Sequence, residues 1–169
     1  MNKLSGLIKK AQTSRFYLWL LNVLMHRVIP FNKIHGLKIT SITAHGFEMT
    51  MPYWKENMNH LKGLHACGLA TLSEYVAGLT LIRKVGAENY RLIMENINVQ
   101  YFYQAKKQVV TAFELSDEWV QDNVIEPLEK SDSAFVVLEA HIYDTEGNKI
   151  CTGTTRWQIK RWDKVKTKL

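Results

Sequence analysis

Asn59-His60-Leu61-Lys62-Gly63-Leu64-His65-Ala66-Cys67-Gly68-Leu69-Ala70-Thr71-Leu72-Ser73-Glu74 runs from a polar loop into an apolar helix that carries one carboxylate. Leu69, Leu72, Val76, Leu79 and Ile82 recur at helical spacing, with Ala66, Ala70 and Ala77 between them. Such a helix is apolar around most of its circumference and has to be buried. Glu74 lies in its middle. An ionised carboxylate taken out of water needs a partner or a raised pKa, and groups so placed concentrate at active sites.

On the N-terminal side, Leu37, Ile39 and Ser41 alternate towards a turn at Ala44-His45-Gly46, and Phe47, Met49 and Met51 alternate out of it until Pro52. This is a strand-turn-strand pattern. Residues 3–27 read as one helix that ends before Pro30. Its half after Ser14 is apolar nearly all round and needs a cover. The preferred cover is the sheet or a neighbouring subunit. Membrane contact is the less favoured reading, because charges are not spread along one full face.

On the C-terminal side, Gly86-Ala87-Glu88-Asn89 turns the chain into a strand over 91–105, where Ile93, Glu95, Ile97, Val99 and Tyr101 share a face. A strand over 109–115 follows, then an acidic connection over 116–130 with room for a short helix. Strands over 134–142 and 150–159 close a hairpin around Asp144-Thr145-Glu146-Gly147-Asn148. The order predicts an α+β domain, an antiparallel sheet wrapped around a long central helix, with an extra N-terminal helix.

With 169 residues and 46% hydrophobic content the chain suits one globular domain with a single core. Its formal charge of +6 is uneven. Residues 1–38 carry seven Lys/Arg and no acid, residues 156–169 six against Asp163, and the middle nine against fifteen acids. Two basic ends on an acidic body favour an anionic partner near the ends, whether coenzyme phosphates, anionic lipid or nucleic acid. Nucleic acid is not favoured, because no recognisable DNA-binding motif precedes the domain. Cys67 and Cys151 fit reduced cytoplasmic thiols and show no metal-ligand spacing. The apolar run 16–25 is too short to span a bilayer, which takes about 20 residues, and no cleavage site follows it.

Asn59, six residues before His65 and fifteen before Glu74, with small residues after the histidine, resembles the Asn-x5-His-Gly-Gly-x6-Asp/Glu signature of hotdog-fold acyl-CoA thioesterases of the phenylacetate-pathway type. Ile97-Asn98-Val99-Gln100-Tyr101-Phe102-Tyr103-Gln104-Ala105 is similar to that family's strand ending in Arg/Ser-Pro-Ala. Ala66-Cys67 stands where the family has Gly-Gly, and Gln104 where it has Pro. The resemblance implies a hotdog domain over 35–162, preceded by a helical extension over 1–34 and followed by a basic tail over 163–169. It also implies hydrolysis of an acyl-CoA or related acyl thioester, without metal or bound cofactor, by a cytoplasmic homodimer or homotetramer.

Thioester hydrolysis needs a polarised carbonyl and either a nucleophile or a base that activates water. A helix starting near His65 offers free N–H groups and the positive end of its dipole, so the oxyanion donor is assigned to the backbone N–H of Cys67 or of Ala66. Glu74 is the expected base or nucleophile, and Asn59 orients water or the carbonyl. His65 belongs to the same motif, although holding its loop through ring hydrogen bonds explains it as well as chemistry does. Gly63, Ala66, Gly68 and Asn98 are the expected substrate-binding positions, and the Cys67 side chain a bystander.

Seven residues separate Cys67 from Glu74, about 10 Å along a helix axis. Both cannot touch one carbonyl. If both act, they come from different chains, and each site lies between subunits. Two alternatives stand beside this. His60, fourteen residues before Glu74, has the separation of hotdog 3-hydroxyacyl thioester dehydratases. A non-catalytic acyl-CoA-binding protein is the other.

Overall fold

The computed structural model describes residues 3–166, so Met1, Asn2 and the last three residues of the expected basic tail lie outside the described residues. Three helices open the chain, α1 (Lys3–Ala11), α2 (Arg15–Val28) and α3 (Pro30–Ile34). β1 (Lys38–Ile42) and β2 (Gly46–Met51) form a hairpin, and a loop leads into the long helix α4 (Ala66–Val85). β3 (Tyr90–Tyr101) and β4 (Val109–Glu114) follow. Next come α5 (Asp117–Val120), a π turn (Gln121–Ile125) and α6 (Glu126–Lys130). β5 (Ser133–Asp144) and β6 (Lys149–Arg161) complete one antiparallel sheet in the order β1-β2-β4-β5-β6-β3.

α4 packs against β2, β3, β4, β5 and β6, which is the helix-in-sheet arrangement its all-round apolarity requires. Leu72, Val76 and Leu81 are fully buried, each such side chain contributing about 1.5–3 kcal/mol by leaving water. Close approach sets the helix depth at β6. A Cβ on Gly153 would lie 2.4 Å from the Ser73 Cβ, so any larger residue there pushes α4 off the sheet.

Three expectations are corrected. The N-terminal helix is two helices, because Thr13 and Ser14 favour turn and cap conformations over helix interior and Ser14 is extended at φ −128°. Gln12 pins the corner, its Nε2 donating to the Thr43 carbonyl at 2.9 Å. Ile93 does not share a face with Ile97: a bulge between Met94 and Asn96 reverses the alternation, leaving Ile93 exposed while Leu92 and Met94 turn towards the core. The 116–130 connection is helical almost throughout, burying Val120, Val124 and Leu128 at four-residue spacing.

α2 covers the outer edge of the sheet at β1. The Asn22 amide takes both backbone groups of Ile39, accepting its N–H at 2.8 Å and donating to its carbonyl at 2.9 Å. His26 Nε2 meets the Leu37 carbonyl at 2.6 Å. Side chains thus satisfy the edge that another strand would otherwise pair with. At the other edge, β3 presents twelve residues, and no such helix lies along it among the described residues.

Candidate functional site

The loop before α4 is built on asparagines. Asn57 is buried, donates to the carbonyls of His35 and Pro52, and accepts the His65 N–H at 2.7 Å on its own carbonyl. Asn59 Oδ1 accepts the N–H groups of Leu61 at 2.9 Å and Gly63 at 3.1 Å, while its backbone N–H donates to the Gly63 carbonyl. The carbonyl side of Asn59 therefore holds the turn, and only its Nδ2 is left to point elsewhere. Gly63 has no room for a side chain, since a Cβ would stand 2.7 Å from Gln104 Cγ. Leu64 donates to the Ala105 carbonyl at 2.8 Å, tying the loop to the segment after β3.

At the start of α4, His65 is the N-cap, and its Nδ1 accepts the Cys67 N–H at 3.1 Å. The Gly68 and Leu69 N–H groups bond to the His65 carbonyl. Among the described residues nothing accepts the Ala66 N–H, so of the two assigned donors it is Ala66 that stays open and Cys67 that is already engaged. Ala66 lines a cavity of about 350 Å³ with Asn59, Leu69, Tyr101 and Gln104. The Tyr101 hydroxyl donates to the Ala66 carbonyl at 2.9 Å, fixing the first helical residue against β3.

Glu74 lines a different cavity, of about 370 Å³, with Tyr75, Gly78, Arg91, Trp157 and Trp162 on its walls and Ile29 and Asn32 closing it from the N-terminal helices. Among the described residues none lines both cavities. Glu74 has no hydrogen-bond or ion-pair partner among the described residues. Burial pushes its carboxyl pKa above the usual glutamate range. Burial and the nearby Glu74 charge push the Tyr75 phenol up as well. Arg91 Nε is buried without a hydrogen-bond partner among the described residues.

The other expected residues divide. Gly63, Ala66 and Gly68 stand together around the start of α4, and Gly68 packs on Met51, whose sulfur would lie 3.2 Å from an added Cβ. Asn98 is exposed on β3 opposite Thr154 and lines neither cavity. His60 is exposed and lines neither, which separates it from Glu74 within one chain. Glu95 is paired with Arg156. The Cys67 thiol is exposed, and the buried Cys151 thiol is pushed up to about 12, which keeps it protonated. Sequence reasoning missed Tyr101, Trp157 and Arg91 as wall residues. Strand pairing, which no local pattern specifies, brings them there.

A family model described as a domain of unknown function (DUF4442) matches residues 18–159. No curated protein matches the sequence. Among solved structures, PA5026 of Pseudomonas aeruginosa, described as a probable thioesterase, is similar with a TM-score of 0.77 and 21% identity, over 85% of this chain and 95% of that one. Thioesterase HI1161 of Haemophilus influenzae is similar with a TM-score of 0.66 and 17% identity, over 89% and 95%. SAV0944 of Staphylococcus aureus, a thioesterase enzyme, is similar with a TM-score of 0.60 and 12% identity, over 78% and 98%. Two variants of SAV0944 replace a glutamine at its position 32 and a glutamate at its position 47, fifteen apart. The fold is the hotdog fold.

Proposed function

We propose that this chain, which belongs to the family described as a domain of unknown function (DUF4442), is an acyl thioester hydrolase. The observation that carries the reading is Glu74: an unpaired, largely buried carboxylate with a raised pKa on the wall of an aromatic cavity, in the middle of the helix whose first N–H is open. Asn59 and Glu74 are fifteen residues apart, the separation of the two positions replaced in SAV0944.

In this reading the Ala66 N–H and the helix dipole hold the thioester oxygen as it gains negative charge. Glu74 of a second chain takes a proton from water as the water oxygen attacks the carbonyl carbon. The tetrahedral adduct collapses, the C–S bond breaks, and the thiolate leaves and takes up a proton. Asn59 Nδ2 orients the water or the carbonyl. The second chain docks along β3, whose open edge accepts another strand, and joins the Asn59 half of one subunit to the Glu74 half of its partner. The aromatic cavity suits a medium or long acyl chain, carried on coenzyme A or a related thiol. The reading carries a cytoplasmic location, with both cysteines reduced.

A panel of acyl thioesters followed by free-thiol release tests this, run beside hydration of enoyl thioesters. Thiol release that depends on Glu74 supports the hydrolase. Hydration without thiol release, or no turnover of any thioester, overturns it.

A further inference from the structure

Helix α2 presents two faces. Leu21 and Met25 are buried against the body, on the side where Asn22 holds β1. On the other side Phe16 is 63% exposed, Trp19 59%, Val23 45% and Leu20 36%, a stripe at i, i+3, i+4 and i+7. The Phe16 and Trp19 rings lie 6.0 Å apart. Arg27, four residues after Val23, extends the stripe as an exposed cation, and Arg15 opens the helix, also exposed. Lys9, Lys10 and Lys33 on the flanking helices are exposed too, and residues 1–38 contain no acid.

We propose that this face docks on the surface of a membrane leaflet that carries anionic lipid. α2 lies in the plane of the interface, with Phe16, Trp19, Leu20 and Val23 at the headgroup boundary and Arg15, Arg27 and the flanking lysines on the lipid phosphates. At fourteen residues α2 cannot span a bilayer, which takes about 20. Charge selects this occupant over a second copy of the chain. A two-fold contact would bring this face against itself, setting one basic rim on another with no acid from the same region to offset it. Trp19 adds an amphipathic ring of the kind that settles at the membrane–water boundary. The inference does not depend on the thioesterase reading.

The test is co-sedimentation of the full-length protein with phosphatidylcholine vesicles, with and without phosphatidylserine. Binding is expected on the phosphatidylserine vesicles, falling as salt screens the charges. The tryptophan emission should shift to the blue on binding, and Trp19→Phe should remove most of that shift. Phe16→Ser with Trp19→Ser should weaken partitioning by about tenfold or more. Arg15→Glu with Arg27→Glu, which leaves the apolar stripe intact, should reduce it to the level on neutral vesicles. No binding to phosphatidylserine vesicles, or binding unchanged in both double variants, overturns the proposal. So does a fall in oligomer mass in the Phe16/Trp19 variant without vesicle binding by the parent, which would give the stripe to a second copy.

Discussion

The cavity at the start of α4 and the cavity beside Glu74 differ in what makes their walls. The one at the start of the helix is lined by Tyr101, Phe102 and Tyr103 together with the Asn59 amide, the Ala66 N–H and the Gln104 side chain, so beside its rings it offers neutral hydrogen-bonding groups. The one beside Glu74 is walled by aromatic rings and by a carboxylate with no partner among the described residues. One can hold a carbonyl, the other an acid and a chain. Eight residues separate Ala66 from Glu74, about 12 Å along the helix, so within one subunit the two cannot reach the same atom.

The largest effect should come from the acid half. Glu74→Gln keeps the volume and removes the base, and kcat/KM for thiol release should fall by about 10² or more. Its stability should move the other way. Burial raises the Glu74 pKa in the folded chain, so the contribution of Glu74 is fully present below the ordinary glutamate range and is lost as pH rises through the folded value. Glu74→Gln should therefore melt above the wild type at neutral pH, with the gain vanishing in acid. A lower melting temperature at neutral pH would make Glu74 a structural residue. If Glu74 is the base, the acid limb of kcat/KM should lie above the usual glutamate range and be absent from the residual activity of the variant.

Next in size is the test of whether the halves meet across subunits. Asn59→Asp keeps the oxygen that holds the turn and removes the amide donor, so the loop should survive while turnover falls. A heterodimer of Asn59→Asp and Glu74→Gln chains, isolated through two different tags, has one intact site and one doubly altered one. It should recover about half of the wild-type activity. Recovery no better than either parent, in a dimer shown to form, would mean that each site lies within one chain.

Much of this was legible because it rests on periodicity. The apolar circumference from Leu69 to Ile82 marks α4, and alternation marks the strands. The helical seam Val120, Val124, Leu128 was equally present, but the acidic residues around it read as a connection with room for no more than a short helix. The face of Ile93 was not legible, because the bulge beside Glu95 arises where β3 pairs with β6. In the site, Glu74, Asn59 and Ala66 stand out by type and spacing within one segment. Tyr101 and Trp157 come from strands that only pairing carries to the helix, and the choice between the Cys67 and Ala66 N–H groups turns on a ring nitrogen of His65.

That ring sets the smallest effect. With His65 Nδ1 on the Cys67 N–H, His65→Ala removes an N-cap and should cost about 1 kcal/mol. For a chain of this size that lowers the melting temperature by about 2–4 °C. His65→Asn supplies another capping oxygen and should recover most of the loss. Turnover should change by less than about tenfold in both variants, because the open donor belongs to Ala66 and the loop is anchored independently through Asn57. A fall of about 10² in both variants, with the Asn variant restored in stability, would instead place a proton on the His65 ring during the reaction and reopen the division of labour between the two halves.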